Sequence, residues 1–271
     1  MASDNLYILG INMTKFGKYP NRDLIDLAAE AAQGALKDGG VTMQDMGIMA
    51  AGNLRGSGRI GQPLQKQIGQ TGIPVYNVTN ACATGATAMR VVMMAIKAGE
   101  CDMGIAVGAE KLAGVGLLTG ATVKADGKTW TPEGRYGAVS AIDGRIGTET
   151  MPGVFAQIGM EYGNKYGGTS FELFAKISEK NHAHSTLNPL ASYQKHMALE
   201  EIMKDVMVAY PNTRPMCSAN CDGAAATVIV SEKKLRTLSK AQQDRAVKIA
   251  ASVLTTAHGK RAARCCPMST R

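Results

Sequence analysis

Aromatic residues are scarce: they make up 5% of this 271-residue sequence, with a single Trp and four Phe. A core must therefore be filled with Ala, Val, Ile, Leu and the 16 Met. Long apolar runs are lacking too. None approaches the ~20 residues needed to span a bilayer, so no membrane span is expected. The opening residues carry no basic stretch followed by an apolar one, so no secretory signal is expected. The six cysteines are too few and too irregularly spaced for a disulfide scaffold. A reducing, cytoplasmic setting is the expectation. What remains, 45% hydrophobic and 19% charged, is the composition of a globular chain. Its length suits one large domain or two ordinary ones.

The formal charge of +8 raises the question of nucleic acid. Lys260, Arg261, Arg264 and Arg271 account for half of that excess, in a tail without acids. The other basic residues are scattered, with no aromatic interleaving and no recognition-helix pattern. A mildly basic surface with no nucleic-acid partner is the better reading.

Apolar patterning predicts a short strand at 6–11 and a helix capped by Asn21 or Asp23 and closed by Gly39-Gly40. A second strand follows at 48–51, then a short helix in 61–72, a strand at 75–78, a helix at 85–98 stopped by Gly99, and a strand at 103–107 ending in Gly108. Such alternation indicates βαβ units and a largely parallel, covered sheet. The rhythm breaks from 112 to about 215, where two or three helices are expected near 154–166, 171–184 and 200–205. Sheet character returns at 224–230, followed by a charged helix at 231–243 and an apolar strand at 247–253.

The strongest local signal is the run Asn80-Ala81-Cys82-Ala83-Thr84-Gly85. A strand enters a tight turn and a helix begins at once. Cys82 therefore stands at a helix amino terminus, where free N–H groups and the helix dipole favour a thiolate. The same N–H groups could hold an acyl oxyanion. The small neighbours Ala81, Ala83 and Gly85 leave room for a bulky thioester. A thiolate suits thioester exchange because attacking and leaving groups are alike. Taken alone, a cysteine at such a position is more often structural, a small side chain filling a strand–helix corner; the neighbouring sequence shifts the balance.

That segment resembles the nucleophile motif of the thiolase family. Asp102 through Gly108-Ala109-Glu110 is similar to the strand and turn that follow it in the family. Met151-Pro152-Gly153 and Asn181-His182-Ala183-His184 resemble the lobe of the sterol-carrier-protein type thiolases. Cys217-Ser218-Ala219-Asn220-Cys221-Asp222-Gly223-Ala224 resembles a further family segment. The resemblance implies an α/β thiolase-like fold: an amino-terminal βαβαβαββ half formed by 1–113 and 216–243, with a helical and loop lobe inserted at 114–215. Residues 244–271 would begin a carboxy-terminal half and continue into an aberrant tail, the rest of that half being missing. It implies an acyltransferase of acyl-CoA thioesters, placed in lipid metabolism, which condenses two acyl-CoAs or thiolyses a 3-ketoacyl-CoA. Cys82 would be the acylated nucleophile, Met151 would lie beside the acyl group, and Ser218 would lie near the pantetheine arm. For Met151 and Ser218, ordinary lobe packing is an equal alternative. Lys124, Lys128 and Arg135 could meet CoA phosphates or line a solvated loop. No cofactor and no metal are implied: Cys217 and Cys221 lack a second ligand pair. Expected partners are CoA or acyl-CoA, a second copy in a homodimer or larger assembly, and a small OB-fold/zinc-ribbon protein.

The family's base and oxyanion groups, two His segments and a Cys/Gly-rich loop, have no counterpart in the sequence; His258 stands outside any such motif. The chain alone is therefore expected to be inactive or to need a partner. Residues 263–271 can be encoded by codons that read in another frame as a family-like phrase. This suggests a frameshift after about Thr256; a natural short form or a split enzyme are the alternatives. Two further readings are a non-catalytic acyl-CoA-binding scaffold within a larger complex and a ketoacyl synthase of the same fold. The lobe motifs favour thiolase over the latter.

Overall fold

The computed structural model describes residues 5–55, 59–113 and 151–255, with the backbone of four two-residue strands between 122 and 145. In chain order the first elements are β1 (Leu6–Met13), α1 (Leu24–Gly39), β2 (Ile48–Gly52), α2 (Gly61–Ile68), β3 (Val75–Val78), α3 (Thr84–Ala98) and β4 (Met103–Lys111). The short strands β5 (Thr122–Val123) and β6 (Thr129–Trp130) pair, as do β7 (Ser140–Ala141) and β8 (Gly144–Arg145). Then come α4 (Met151–Tyr166), α5 (Phe171–Ser185), α6 (Leu199–Lys204), β9 (Met207–Ala209) and β10 (Asn212–Thr213). The chain continues through β11 (Asp222–Ser231), α7 (Glu232–Leu235), α8 (Lys240–Arg245) and β12 (Val247–Lys248). Two compact units result, one within Met1–Ala113 and Cys221–Thr255, the other within Gly114–Asn220.

The first unit is a six-stranded sheet in the order β12-β1-β11-β4-β2-β3. It is mixed, not largely parallel. β2 pairs in parallel with β3 and β4, whereas β11 is antiparallel to both β4 and β1. The first four strands all run one way, as βαβ crossovers require. β11, arriving from far along the chain, is inserted between two of them in the opposite sense.

Alternation along the strands feeds two cores. Leu9, Met49, Ala51, Ile105, Val107, Val228 and Val230 face one side and pack with α1 and α2 through Leu27, Ala31, Ala35 and Leu64. Ile48, Ala50, Ala106 and Ile229 face the other and meet Ala88, Val92 and Ile96 of α3. Burying one such Ile or Val fully is worth about 1.5–3 kcal/mol. α1 starts where the Asp23 carboxylate accepts the Ile25 N–H at 2.6 Å, and it stops at Gly40, whose φ of 64° closes the last turn. With the three residues before it, α3 forms an apolar stretch, Ala81–Ala98, long enough to cross a membrane by length and composition. That corrects the expectation that no run approached this length; here the helix lies on the sheet with Ala88, Val92, Met93, Ala95 and Ile96 buried.

Other boundaries depart from the sequence reading. β4 continues to Lys111 because β11 pairs with it along its whole length. The helix expected over 231–243 is two short ones. The Ser239 side chain accepts the Gln242 N–H in a capping box, and this starts a new helix instead of extending the old. The last strand is only Val247–Lys248, against β1. Beyond it Val253 is 82% exposed, so its apolar pattern buries nothing among the described residues.

In the second unit α5 and α6 pack together, and the β9–β10 hairpin adds a strand pair that the sequence reading lacked. The buried Thr213 hydroxyl donates to the Ile202 carbonyl at 2.8 Å, tying hairpin to α6. α4 begins at Met151, three residues ahead of the expected start.

Candidate active site

β3 ends at Val78, and six residues later α3 begins at Thr84. The turn between them is held from several sides. Ala81 takes φ 45°, a left-handed conformation rare for a residue with a Cβ. Its carbonyl accepts the Thr84 N–H at 3.2 Å and the Thr84 hydroxyl at 2.7 Å. That same hydroxyl accepts the Asn80 N–H at 2.8 Å. The Ala83 N–H bonds back to the Asn80 carbonyl at 2.9 Å, and the Asn80 side-chain amide donates to Thr87 at 2.9 Å.

α3 approaches the sheet closely at its start because glycines line the contact. A Cβ on Gly52 would collide with the Val78 carbonyl oxygen and come within 2.5 Å of Thr84 Cγ2. A Cβ on Gly108 would lie 3.0 Å from the Gly85 Cα. The thiol turn is thus pressed onto the carboxyl ends of β2 and β4. Thr79 donates to the Asn53 carbonyl at 3.1 Å, which links the turn to the loop after β2. Glu110 supports that loop: its carboxylate accepts the Leu54 N–H at 2.6 Å and the Arg55 N–H at 3.2 Å.

Cys82 itself is exposed and unbonded to another cysteine. The residue that opens α3, Ala83, provides no side-chain cap. The N–H groups of Gly85 and Ala86, in the first turn, have no intrahelical acceptor. An exposed thiol and unused donors therefore sit at one helix end. The remaining described cysteines differ. Burial pushes the Cys101 thiol up, opposed by a hydrogen bond with the backbone of Met103. Burial does the same to Cys217, and to Cys221 with help from the Asp222 charge.

The other candidates lie in the second unit. Met151 is the first residue of α4 and is 39% exposed. Ser218 is exposed in the loop between the turn Arg214–Met216 and β11. Lys124, Lys128, Arg135 and His258 lie outside the described residues. His182 and His184 part company as their spacing requires: His184 is exposed, whereas His182 is buried and donates from Nε2 to the Pro215 carbonyl at 3.1 Å. Ser178, one helical turn earlier, donates to the same carbonyl at 3.0 Å. Among the described residues no cluster of three or more His, Cys, Asp or Glu side chains could hold a metal ion. Sequence reasoning missed Thr84, Thr87, Thr79 and Ser178. The one available signal was a Thr at the third and sixth positions after Ala81, the spacing that returns a helix face to its own entry turn.

The first unit is thus a mixed α/β sheet that presents an exposed thiol on a strand-to-helix turn. Residues 6–134 match the thiolase N-terminal domain. Sterol carrier protein 2 of Gallus gallus is 35% identical over 257 residues, which is 93% of this chain and 45% of that protein. An acetyl-CoA acetyltransferase of Methanothermobacter thermautotrophicus is 32% identical over 227 residues, covering 82% of this chain and 56% of that one. Among solved structures, the Ltp2-ChsH2(DUF35) aldolase superposes with a TM-score of 0.67 at 22% identity, over 87% of this chain and 58% of that chain. The chain belongs to the thiolase family. It spans about half the length of the curated relatives it matches.

Proposed function

We propose that this chain carries the acyl-accepting step of a thiolase-type acyltransferase, with Cys82 as the nucleophile. The observation that carries the reading is the exposed Cys82 thiol on a braced turn at the uncapped start of α3. The step exchanges one thioester for another. Cys82 Sγ attacks the thioester carbonyl, the bond to the CoA sulfur breaks, and the thiol proton passes to the departing CoA. The carbonyl oxygen, negative in the transition state, would find the unpaired N–H groups of the first helical turn. Met151 beside the acyl group and Ser218 near the pantetheine arm belong to the same proposal. Turnover, and the choice between condensation and thiolysis, would draw on groups beyond those described here. We extend the proposal to self-association and to a small OB-fold/zinc-ribbon partner, supported by a likeness to an aldolase whose name joins two components.

Incubation with acetyl-CoA followed by intact mass and peptide mapping tests the step. One acetyl group should appear on Cys82 and be absent from Cys82→Ser. A folded protein that binds CoA thioesters and never acquires the acetyl group would end the proposal. It would favour a second reading, a non-catalytic carrier of acyl-CoA, which the likeness to proteins named for sterol carriage supports.

A further inference from the structure

We propose that Thr84 is a positioning residue for the Cys82 thiol, acting with Thr87 as a two-point clamp on the turn that carries it. The inference rests on reading Cys82 as the acyl acceptor. Cys82 is exposed and makes no side-chain hydrogen bond among the described contacts, so its place depends on the backbone on either side. That backbone is not at rest by itself. Ala81 at φ 45° holds roughly 1–2 kcal/mol of conformational strain, as left-handed L-residues do.

The Thr84 side chain restrains it from within. Thr84 is 6% exposed, and its hydroxyl uses both its capacities on the turn: it accepts from the Asn80 N–H at 2.8 Å and donates to the Ala81 carbonyl at 2.7 Å. The two bonds bracket the strained peptide immediately before Cys82. The methyl group is fixed as well, since Thr84 Cγ2 fills the space a side chain at Gly52 would need. Thr87, one turn further along the same face, receives the Asn80 side-chain amide at 2.9 Å. Without the Thr84 hydroxyl the Asn80 N–H loses its acceptor, and Ala81 is free to relax to negative φ. Relaxation swings Cys82 away from the N–H groups of the first helical turn. A shift of that kind lowers the reaction rate while leaving distant binding contacts alone.

The test compares wild type with Thr84→Val, Thr84→Ser and Thr87→Val. Single-turnover acetylation of Cys82 is followed over a range of acetyl-CoA concentrations, and alkylation of Cys82 by iodoacetamide is followed by peptide mass. Thr84→Val should reduce the limiting acetylation rate about 10- to 100-fold with half-saturation little changed. Thr84→Ser, which keeps the hydroxyl, should stay within about threefold of wild type, and Thr87→Val should fall between them. Acetylation of Thr84→Val at the wild-type limiting rate, or of Thr84→Ser as slowly as Thr84→Val, would overturn the clamp. Should Thr84→Val fail to fold, Thr87→Val decides, and a wild-type rate there refutes the proposal. If wild type itself takes no acetyl group, the proposed function fails. The clamp is then judged on iodoacetamide alone, where equal rates for wild type and Thr84→Val would refute it and a slower variant would support it.

Discussion

Replacing Gly52 with Ala is the sharpest probe of how the thiol turn is seated. The new methyl would meet the Val78 carbonyl oxygen, which is strand backbone, and Thr84 Cγ2 at 2.5 Å. Neither can retreat: β3 is paired with β2 at Gly52↔Val78, and Thr84 is locked by its two hydrogen bonds. Overpacking of this kind costs about 1–3 kcal/mol. The lower entropy of an unfolded chain with Ala in place of Gly offsets about 0.4–1 kcal/mol of it. The net loss is then on the order of 1–2 kcal/mol. For a chain of this size, that is a fall in Tm of roughly 2–8 °C. Gly85→Ala is the matched control. Its methyl would meet only the Gly108 Cα at 3.8 Å, an ordinary contact in a helix, so stability should rise by about 0.5–1 kcal/mol. Thermal and urea unfolding of the two variants read the difference, and iodoacetamide labelling reads the turn. Gly52→Ala should lose stability and change its Cys82 labelling rate together. A Gly52→Ala protein as stable as Gly85→Ala, with unchanged labelling, would mean that α3 does not bear on the sheet as described.

Asp222 is 1% exposed and accepts the Tyr19 N–H at 2.9 Å and the Ala113 N–H at 2.8 Å, so Asp222→Ala should cost about 2–4 kcal/mol in urea unfolding. Near neutral pH, limited iodoacetamide should label Cys82 before Cys101, Cys217 and Cys221, because burial pushes those three thiols up; peptide mapping checks the order. Glu232 is held below the usual carboxylate range by hydrogen bonds from Arg236 and then from Asn5. Its contribution is therefore present above the ordinary carboxylate pKa and lost as pH falls through the lowered one, so the stability gap between wild type and Glu232→Gln should shrink on acidification.

The elements that the sequence made legible are those whose cause is local. α1 has its cap at Asp23, its stop at Gly40 and an apolar face of Leu27, Ala31 and Ala35, all within one window of sequence. β2 and the body of β4 are short apolar runs bounded by glycine, and β3 is a short β-prone run that follows Pro74. The failures come where a distant partner decides. No property of Ala224–Val230 says that it enters between β1 and β4 antiparallel to both, and that insertion turns a seemingly parallel sheet into a mixed one. The extension of β4 past Gly108 has the same origin, because Glu110 and Lys111 are strand only by pairing with Gly223 and Asp222. Val247–Val253 reads as a strand by composition, yet only its first two residues find a neighbour in β1.

The candidate site divides along the same line. The position of Cys82 was legible because three local facts coincide: a strand ends, small residues follow, and a helix begins. Its supports were less so, although Thr84 and Thr87 are only two and five residues away. A Thr in a helix usually reads as a weak helix former, and only the backward hydrogen bonds to Asn80 and Ala81 give it another task. Gly52, Gly85 and Gly108 are three glycines among 31, and nothing local marks them as the seat of α3. The place of a thiol at a helix start can thus be read from its own turn. The precision with which the turn is held depends on contacts between segments 26 to 56 residues apart, such as Asn53 with Thr79 and Leu54 with Glu110, and those become visible only once the sheet has assembled. This is why a single methyl at Gly52, far from any reacting atom in sequence, is expected to disturb the thiol more than a methyl at Gly85 beside it.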